Sequence, residues 1–320
     1  MKKILSIDGG GIKGVFPAAF LAALDDHLKH DIASYFDLIA GTSTGGIIAL
    51  GLGLGFSPRE ILAMYESNAS TIFPSGLGSA WSKTKRLNGL MKQRYDTEPL
   101  ADILRAMFRD KLLGQSNNRL MICATDLTTG KVNFFKTAHH ERLRNDYKIS
   151  AKEIALATSA APVFFKPHTM PSGQDLVDGA MWANNPVGPA AVEAVHTLGW
   201  EPEEIAILSL SCTGEPASFA RLANEDPGAV NWGMGLIECF MASQSSASYG
   251  TAINVLGDNN IERIKRIEPI VEKDLFTLDG TKNLGQLKGL GENQAKHEFP
   301  RIKDLFFDEP APIFVPEYKL

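Results

Sequence analysis

A serine flanked by glycines is the residue of this chain best placed to act as a nucleophile. Ser43 lies in the pentapeptide Gly41-Thr42-Ser43-Thr44-Gly45, between a predicted strand and a predicted helix, and that context is typical of a nucleophile elbow. The glycines allow a turn so tight that the hydroxyl stands exposed at a helix N-terminus, where a developing alkoxide is favoured. The pentapeptide alone arises readily by chance in a glycine-rich chain, so the hypothesis depends on the strand and helix around it.

A nucleophilic serine needs a base, and the sequence leaves two candidates open. Asp178 ends an apolar run and precedes Gly179, and a carboxylate close to a hydroxyl can accept its proton directly. His297 would complete the Ser, Asp, His chain order of α/β-hydrolases, although its neighbours resemble a solvated helix. Among the other histidines, His139 lies in a charged loop, where we expect a surface position.

A glycine-rich turn, Asp8-Gly9-Gly10-Gly11-Ile12-Lys13-Gly14, follows the first predicted strand. Such a turn points unpaired backbone N–H groups at an anion. It also fits the G-x-G-x-x-G dinucleotide fingerprint, but Asp37 opens the second strand instead of ending it, and Asp8 would repel a pyrophosphate. A Rossmann-type nucleotide-binding oxidoreductase and a non-catalytic binding scaffold therefore remain as alternatives to an enzyme that uses Ser43.

Predicted strands and helices alternate and place these motifs at strand ends. The predicted strands are 3–8, 37–41, 120–126, 132–137, 175–178 and 205–211, the third and fourth forming an antiparallel hairpin. The predicted helices are 15–30, one from about Thr44, 58–71, 154–159 and 187–198, with capping boxes Ser57/Glu60 and Ser150/Glu153. This order predicts a three-layer α/β/α sandwich with a mixed central sheet.

The composition excludes several classes of protein and of site. The chain has 320 residues without a linker or repeat, so we expect one domain over 1–320, with the motifs within 3–215 and a C-terminal part, 216–320, that offers a regulatory or oligomerisation surface. A net charge of −5 argues against nucleic acid as a partner. Three cysteines far apart in sequence form no zinc pattern and are expected to be reduced thiols.

Two segments have compositions that could indicate contact with a membrane. Residues 38–56 carry no charge, but their six glycines and three hydroxyl residues favour a strand, a turn and a buried helix over a membrane span. Residues 67–95 contain no acid, and basic residues alternate with apolar ones around Trp81. This pattern fits either peripheral contact with a bilayer or a solvated face above inward-packed apolar residues. The chain opens on a strand instead of a signal peptide, which predicts a cytoplasmic protein.

Together these motifs resemble the patatin-like phospholipase family. The family pattern of a D-G-G-G-x-[RK]-G turn, a G-x-S-x-G elbow and a downstream D-G-[GA] occurs in order as Asp8 to Gly14, Gly41 to Gly45 and Asp178 to Ala180. The stretches 159–165, 183–186 and 208–214 are also similar to the family, so the resemblance covers roughly residues 3–215. Two departures are mild: D-G-A replaces D-G-G, and Ser211-Cys212 replaces a usual glycine.

The resemblance implies a serine lipid acyl hydrolase that cleaves fatty-acyl esters of membrane phospholipids without a metal or an organic cofactor. Ser43 would be the nucleophile and Asp178 its base, with no third member. The implied oxyanion hole consists of backbone N–H groups of Gly9, Gly10 and Gly11, helped by Thr44. Lys13 matches the basic position of the family and would bind substrate phosphate or steady the turn.

The resemblance also bears on regulation and location. The chain is similar to bacterial cytoplasmic members of the family, several of which resemble phospholipase effectors of anti-phage defence that a cyclic nucleotide activates. It therefore implies a cyclic nucleotide activator and, for the active enzyme, a peripheral position at the inner membrane.

Overall fold

A computed structural model describes residues 1–74, 93–215 and 229–320, including the side chains of all of these except 229–238. Within these ranges eight strands form one mixed sheet in the order β5-β6-β3-β2-β1-β7-β8, with β4 paired to β3. The strands are β1 Lys2–Ile7, β2 Leu38–Thr42, β3 Arg119–Asp126, β4 Lys131–Lys136, β5 His168–Thr169, β6 Asp175–Asp178, β7 Ile205–Leu210 and β8 Ile264–Ile267. The six predicted strands are confirmed, whereas β5 and β8 were not predicted.

Strands β3, β2, β1, β7 and β8 run parallel to one another, so their carboxyl ends meet at one edge of the sheet. Strands β4 and β6 run antiparallel to β3, and β5 runs antiparallel to β6. The glycine-rich turn follows β1 and the elbow follows β2. Both motifs therefore lie at the edge where ligands of open α/β sheets bind.

The helices of the described ranges cover both faces of this sheet. They are α1 Val15–Asp25, α2 Thr44–Gly53, α3 Pro58–Ile72, α4 Glu98–Phe108, α5 Ala151–Ser159, α6 Ala180–Ala183, α7 Val187–Val192, α8 Ala229–Leu256 and α9 Leu284–Phe306. Helix α1 ends five residues before its predicted end because the Asp25 carboxylate accepts the Ile32 N–H at 2.7 Å and closes a turn there. Helix α7 continues as a π-helical turn, Glu193–Thr197.

Two separate hydrophobic cores confirm the three-layer arrangement. Leu5, Ile7 and Leu208 project from one face of the sheet into the core formed with α1, α2 and α9. Ile4 and Ile207 project from the other face into the core formed with α7 and α8. Burial on both faces explains why these parallel strands are apolar at nearly every position. The division of the chain into domains stays a prediction.

Three local expectations can be compared with the structure. The Ser57/Glu60 capping box forms, with Ser57 N–H donating to Glu60 at 2.8 Å. The predicted Ser150 box is wrong, because Glu153 pairs with the His168 imidazole at 2.7 Å and the Ser150 hydroxyl has no partner among the described residues. Residues 38–56 form β2, the elbow and α2, as predicted.

His139 was expected at the surface, and this expectation is wrong. Its side chain is fully buried, with Nε2 2.9 Å from Glu193, whose other carboxylate oxygen accepts from Lys136 at 2.6 Å. The imidazole is satisfied by Glu193, far along the chain, whereas Glu141, Arg142 and Arg144, the charged residues that suggested a solvated loop, are exposed. As for membranes, none of the helices in the described ranges combines the length and the apolarity needed to cross a bilayer.

The contact between α1 and α9 predicts opposite effects for two glycines of α9. A β carbon at Gly291 would lie 2.6 Å from the Phe16 carbonyl oxygen, whereas one at Gly289 would meet nothing within 4 Å. We expect Gly291→Ala to lower the free energy of unfolding by about 1–3 kcal/mol through overpacking. Gly289→Ala should raise it by about 0.5–1 kcal/mol because alanine favours helix. Urea denaturation measures both, and equal shifts would contradict the packing of these helices.

Candidate active site

Strand β3 brings the elbow and the downstream aspartate together. Its residue Cys123 pairs with Thr42, at the end of β2, and the next residue, Ala124, pairs with Asp178, at the end of β6. Strand β4 pairs along one side of β3, so β2 and β6 must both pair along its other side. The end of β2 therefore meets the end of β6. Ser43, directly after Thr42, must therefore lie beside Asp178.

The elbow holds Ser43 in a backbone conformation that side chains rarely adopt. Its φ is 57° and its ψ is −125°, a strained combination typical of nucleophile elbows. Two hydrogen bonds fix it: Ser43 N–H donates to the Thr158 hydroxyl at 2.9 Å, and that hydroxyl donates to the Cys123 carbonyl at 2.6 Å. The strained residue is thus tied to β3 through a side chain of α5.

Neighbouring backbone leaves no room for side chains around this turn. A β carbon at Gly41 would lie 2.2 Å from the Gly45 carbonyl oxygen, and one at Gly45 would lie 2.2 Å from the Ile7 carbonyl oxygen. One at Gly179, after the aspartate, would lie 2.5 Å from the Cys123 carbonyl oxygen. Glycine is therefore required at each position for close approach of two backbones.

Ser43 and Asp178 form a direct hydrogen bond. Ser43 Oγ donates to Asp178 Oδ2 at 2.5 Å, and Asp178 Oδ1 accepts the Ala180 N–H at 2.8 Å. Asp178 is 1% exposed and Ser43 7%. Burial raises the pKa of Asp178 to about 7, and the hydrogen bonds from Ser43 and Ala180 limit that rise. A carboxylate with a pKa near neutrality is well suited to accept the serine proton.

The alternative base, His297, lies elsewhere. It is exposed on α9, a helix that packs against α1. In the described part of the chain, neither Ser43 nor Asp178 has a histidine partner, and the serine proton points directly at the carboxylate. The geometry therefore supports a dyad of Ser43 and Asp178, because no histidine of the described residues is placed to complete a triad.

The glycine turn runs alongside Ser43, and one of its three proposed donors is already occupied. A β carbon at Gly9 would lie 3.0 Å from Ser43 Cβ, which shows how close the two segments are. Gly9 N–H, however, donates to the Asn184 carbonyl at 2.9 Å. Its assignment to the oxyanion hole is therefore corrected. Gly10 and Gly11 N–H groups have no acceptor among the described residues and remain free for a ligand.

Thr44 occupies the first position of α2, where a helix leaves backbone N–H groups without a helical acceptor. Its hydroxyl lies 2.5 Å from the hydroxyl of Tyr65 on α3. Lys13 is partly buried beside the turn, and its N–H donates to the Gly10 carbonyl at 3.1 Å. The catalytic contributions of Thr44 and Lys13 stay predictions.

Sequence reasoning missed two residues that shape the turn. Asn184 contacts Gly9 through its backbone carbonyl and through Nδ2, which donates to the Gly9 carbonyl at 3.3 Å. Its place in an Asn-Asn-Pro stretch soon after the aspartate was a usable signal. Tyr65 gave none, because its contact with Thr44 depends on how α3 packs on α2.

The turn lacks the open face that a dinucleotide would need. Ile12 N–H donates to the Leu278 carbonyl at 2.9 Å, and a β carbon at Gly11 would lie 2.2 Å from the same oxygen. The segment before α9 thus occupies the Ile12 N–H and the space beside the Gly11 α carbon, so that only the Gly10 and Gly11 N–H groups of the turn are left for an anion. Among the described residues, no three His, Cys, Asp or Glu side chains cluster in a way that could hold a metal ion.

Most of the proposed membrane segment, including Trp81 and four of its five cations, lies outside the described residues. Its described ends pack inward. Phe73 and Tyr95 are buried with ring centroids 5.3 Å apart, and Arg94 pairs with Asp279 at 2.8 Å. Phe73 and Tyr95 therefore anchor the segment in the fold, whereas the Arg94 side chain is 43% exposed.

Comparison with known proteins identifies the family. The patatin-like phospholipase family model matches residues 5–191. The chain is 32% identical over 280 residues to a cGAMP-activated phospholipase of Pseudomonas aeruginosa, covering 86% of this chain and 82% of that protein. A cGAMP-activated phospholipase of Escherichia coli is 35% identical, with coverages of 98% and 94%. Patatin-like protein 4 of Arabidopsis thaliana is 26% identical, with coverages of 97% and 87%.

The chain belongs to the patatin-like phospholipase family. This confirms the resemblance drawn from the three motifs, and it decides against the nucleotide-binding oxidoreductase. A patatin-like phospholipase is a carboxylic ester hydrolase, so the chemistry expected of Ser43 is that of the family.

The position of Cys212 behind the glycine turn predicts a rescue between two substitutions. A β carbon at Gly10 would lie 2.4 Å from Cys212 Cβ and 2.7 Å from its Sγ. We expect Gly10→Ala to displace the turn and lower kcat for ester hydrolysis about a hundredfold, as when an oxyanion donor is lost. Adding Cys212→Gly removes both clashing atoms and should recover most of the activity. An unimproved double variant would show that the clash is not the cause.

Asp178→Asn is expected to stabilise the folded chain at about pH 8. In the fold, burial raises the pKa of Asp178 to about 7 from an ordinary value of 3.8. The folded state therefore holds a proton that the unfolded chain releases, so stability from this group falls between about pH 4 and pH 7 and stays lost above. The neutral amide avoids that loss, which amounts to about 1–4 kcal/mol. Thermal unfolding at pH 4 and pH 8 should show a gain at pH 8 alone.

Proposed function

We propose that this patatin-like phospholipase hydrolyses fatty-acyl esters of membrane phospholipids through a catalytic dyad of Ser43 and Asp178. The observation that carries the proposal is the 2.5 Å hydrogen bond from the Ser43 hydroxyl to the buried Asp178 carboxylate. Free N–H groups of Gly10 and Gly11 support it, because the turn that bears them runs beside the nucleophile. Family membership supplies the substrate class.

In the first half of the reaction the acyl group moves to the enzyme. Asp178 accepts the Ser43 proton while Oγ bonds to the ester carbonyl carbon, and the carbonyl π electrons move onto its oxygen. The N–H groups of Gly10 and Gly11 donate to this oxyanion. When the oxyanion collapses, the bond to the alcohol breaks, and the leaving oxygen takes the proton from Asp178.

In the second half water replaces the alcohol. Asp178, again ionised, takes a proton from a water molecule as that water attacks the acyl-Ser43 carbonyl. The second oxyanion uses the same two N–H groups. Its collapse breaks the bond to Ser43 Oγ, which recovers its proton from Asp178, and the fatty acid leaves. A pKa near 7 suits a group that must both accept and return a proton.

The proposed substrate lies in a bilayer, so the enzyme needs a surface that meets lipid. Residues 67–95 combine an absence of acids with basic residues and a tryptophan, a composition that favours the anionic headgroup zone. Phe73 and Tyr95 fix the ends of this segment within the fold. We infer that its central part makes peripheral contact with the membrane, and that Lys13, at the turn, contributes to lipid phosphate binding.

Activation by a cyclic nucleotide is part of the same proposal. Two relatives that cover most of this chain are named cGAMP-activated phospholipases. A nucleotide messenger of this kind is made in the cytoplasm, which would place the enzyme there, with its substrate at the inner membrane. Destruction of that membrane on receipt of a second messenger fits a role in anti-phage defence.

Hydrolysis of phospholipid vesicles, measured with and without cGAMP, tests the proposal. Ser43→Ala should lower kcat/KM about a thousandfold or more, since it removes the nucleophile. Asp178→Asn should be nearly as damaging, because the amide cannot accept the proton. For the wild type, kcat/KM should fall as pH drops below about 7, where Asp178 becomes protonated.

His297→Ala is the matched control and should stay within about twofold of the wild type, because it lies outside the dyad. The opposite order, with His297→Ala inactive and Asp178→Asn active, would contradict the dyad. Wild-type activity that does not depend on cGAMP would remove that activator from the proposal and leave the hydrolase in place. No hydrolysis by the wild type with cGAMP present would overturn the function itself.

A further inference from the structure

A buried arginine from the C-terminal part of the chain forms an ion pair with Asp8, the residue at the start of the glycine turn. Arg266 lies on β8, and its guanidinium donates to both carboxylate oxygens of Asp8, at 3.0 Å and 2.6 Å. Such a two-point contact fixes the orientation of both groups as well as their distance. Asp8 immediately precedes the three glycines, so its side chain is the last one before the turn.

The pair is enclosed and has its own supports. Asp8 is 3% exposed, and the Arg266 side chain is 13% exposed. The remaining guanidinium contacts go to the Ser209 hydroxyl at 2.8 Å and the Glu268 carboxylate at 3.0 Å. Burial raises the pKa of Asp8 to about 6, and the charge of Arg266 limits the rise, so Asp8 is ionised at neutral pH. These contacts hold the Arg266 guanidinium in a single orientation.

The turn depends on such anchors because its own residues have no side chains to hold it. The Gly9 N–H donates to the Asn184 carbonyl and the Ile12 N–H to the Leu278 carbonyl, while the N–H groups of Gly10 and Gly11 between them have no acceptor within the described ranges. The direction of their N–H groups is therefore set by the ends of the turn. Asp8 is the residue at which the chain leaves β1 and enters the turn.

We propose that Arg266 is a positioning residue of this hydrolase: by clamping Asp8 it fixes the backbone turn that aims the Gly10 and Gly11 N–H groups at the oxyanion. The proposal rests on the function proposed above. Arg266 acts through the backbone and not on the substrate, because β8 and β7 lie on one side of β1 whereas Ser43 follows β2 on the other. It also lies beyond residues 5–191, the part matched by the family model.

The first test is Arg266→Lys, assayed on a soluble short-chain ester. Lysine keeps the positive charge but makes a single-point contact, so the turn loses its fixed orientation. We expect kcat to fall roughly tenfold to a hundredfold, the scale of a small misplacement of catalytic groups, with KM changed by less than about twofold. A merely structural role would lower the Tm and leave kcat of the folded enzyme unchanged. That result would overturn the proposal.

Arg119→Lys is the matched control. Arg119 is also a partly buried arginine of the same sheet, and its guanidinium stacks over Trp200 and Phe314. It begins β3, however, at the end of the sheet opposite to the active site. Its substitution should reduce stability and leave kcat as in the wild type. An equal loss of kcat in both variants would attribute the effect to general loosening and overturn the assignment of Arg266.

The double variant Asp8→Asn/Arg266→Gln covers the case in which Arg266→Lys fails to fold. It leaves no unpaired buried charge, so we expect a native Tm together with kcat reduced as in Arg266→Lys. Wild-type kcat in this double variant would show that charge balance, and not the clamp, is what the turn needs. Ser43→Ala run in parallel keeps the two proposals apart, since an inactive wild type contradicts the function, whereas an active wild type with an unaffected Arg266→Lys contradicts the clamp alone.

Discussion

Close approach of bare backbone at the carboxyl edge of the sheet is the constraint on which this site depends. A single added methyl carbon at Gly41 or Gly45 would come within 2.2 Å of a carbonyl oxygen. Only with these glycines can β2 turn sharply enough to hold Ser43 at positive φ. That conformation in turn lets its hydroxyl reach Asp178, which lies at the end of β6 and is brought there because β3 pairs with both β2 and β6. Ser43, the proposed nucleophile, is therefore placed by main-chain geometry, and side chains only secure it.

Two buried aspartates at this edge differ in their partners, and their roles differ accordingly. Asp8 faces the guanidinium of Arg266, which holds it ionised and fixed. Asp178 has no cationic partner among the described residues and receives two neutral hydrogen bonds, from Ser43 and Ala180. Burial raises the pKa of both carboxyl groups, and only at Asp8 does a neighbouring positive charge, that of Arg266, limit the rise. These different surroundings fit the two roles proposed for residues of one type, a structural anchor for Asp8 and a proton acceptor for Asp178.

Sequence patterns of a few residues predicted the features that depend only on neighbouring residues, such as the ends of strands. Apolar runs followed by glycines marked the strand ends, and from them Ser43 and Asp178 could be proposed before any contact was known. Features that depend on distant segments were missed or misjudged. Gly9 was assigned to the oxyanion hole through the resemblance to the family, but the carbonyl of Asn184, far along the chain, accepts its N–H. Arg266 could not be found for the same reason, since β8 is a short strand whose importance comes from its position beside β7.

The proposed reaction moves charge within the site without changing its amount, and this decides how it responds to electric fields. An imidazole base would also keep the net charge constant, but there two neutral groups would become a cation and an anion as the ester is attacked. In the mechanism proposed for Ser43 and Asp178, one negative charge moves from the carboxylate to the oxyanion, and the net charge of the site stays constant. The surface potential of an anionic bilayer acts on that net charge almost equally before and after attack. Lipid charge should therefore govern how often the enzyme docks, while the speed of bond cleavage once docked should scarcely depend on it.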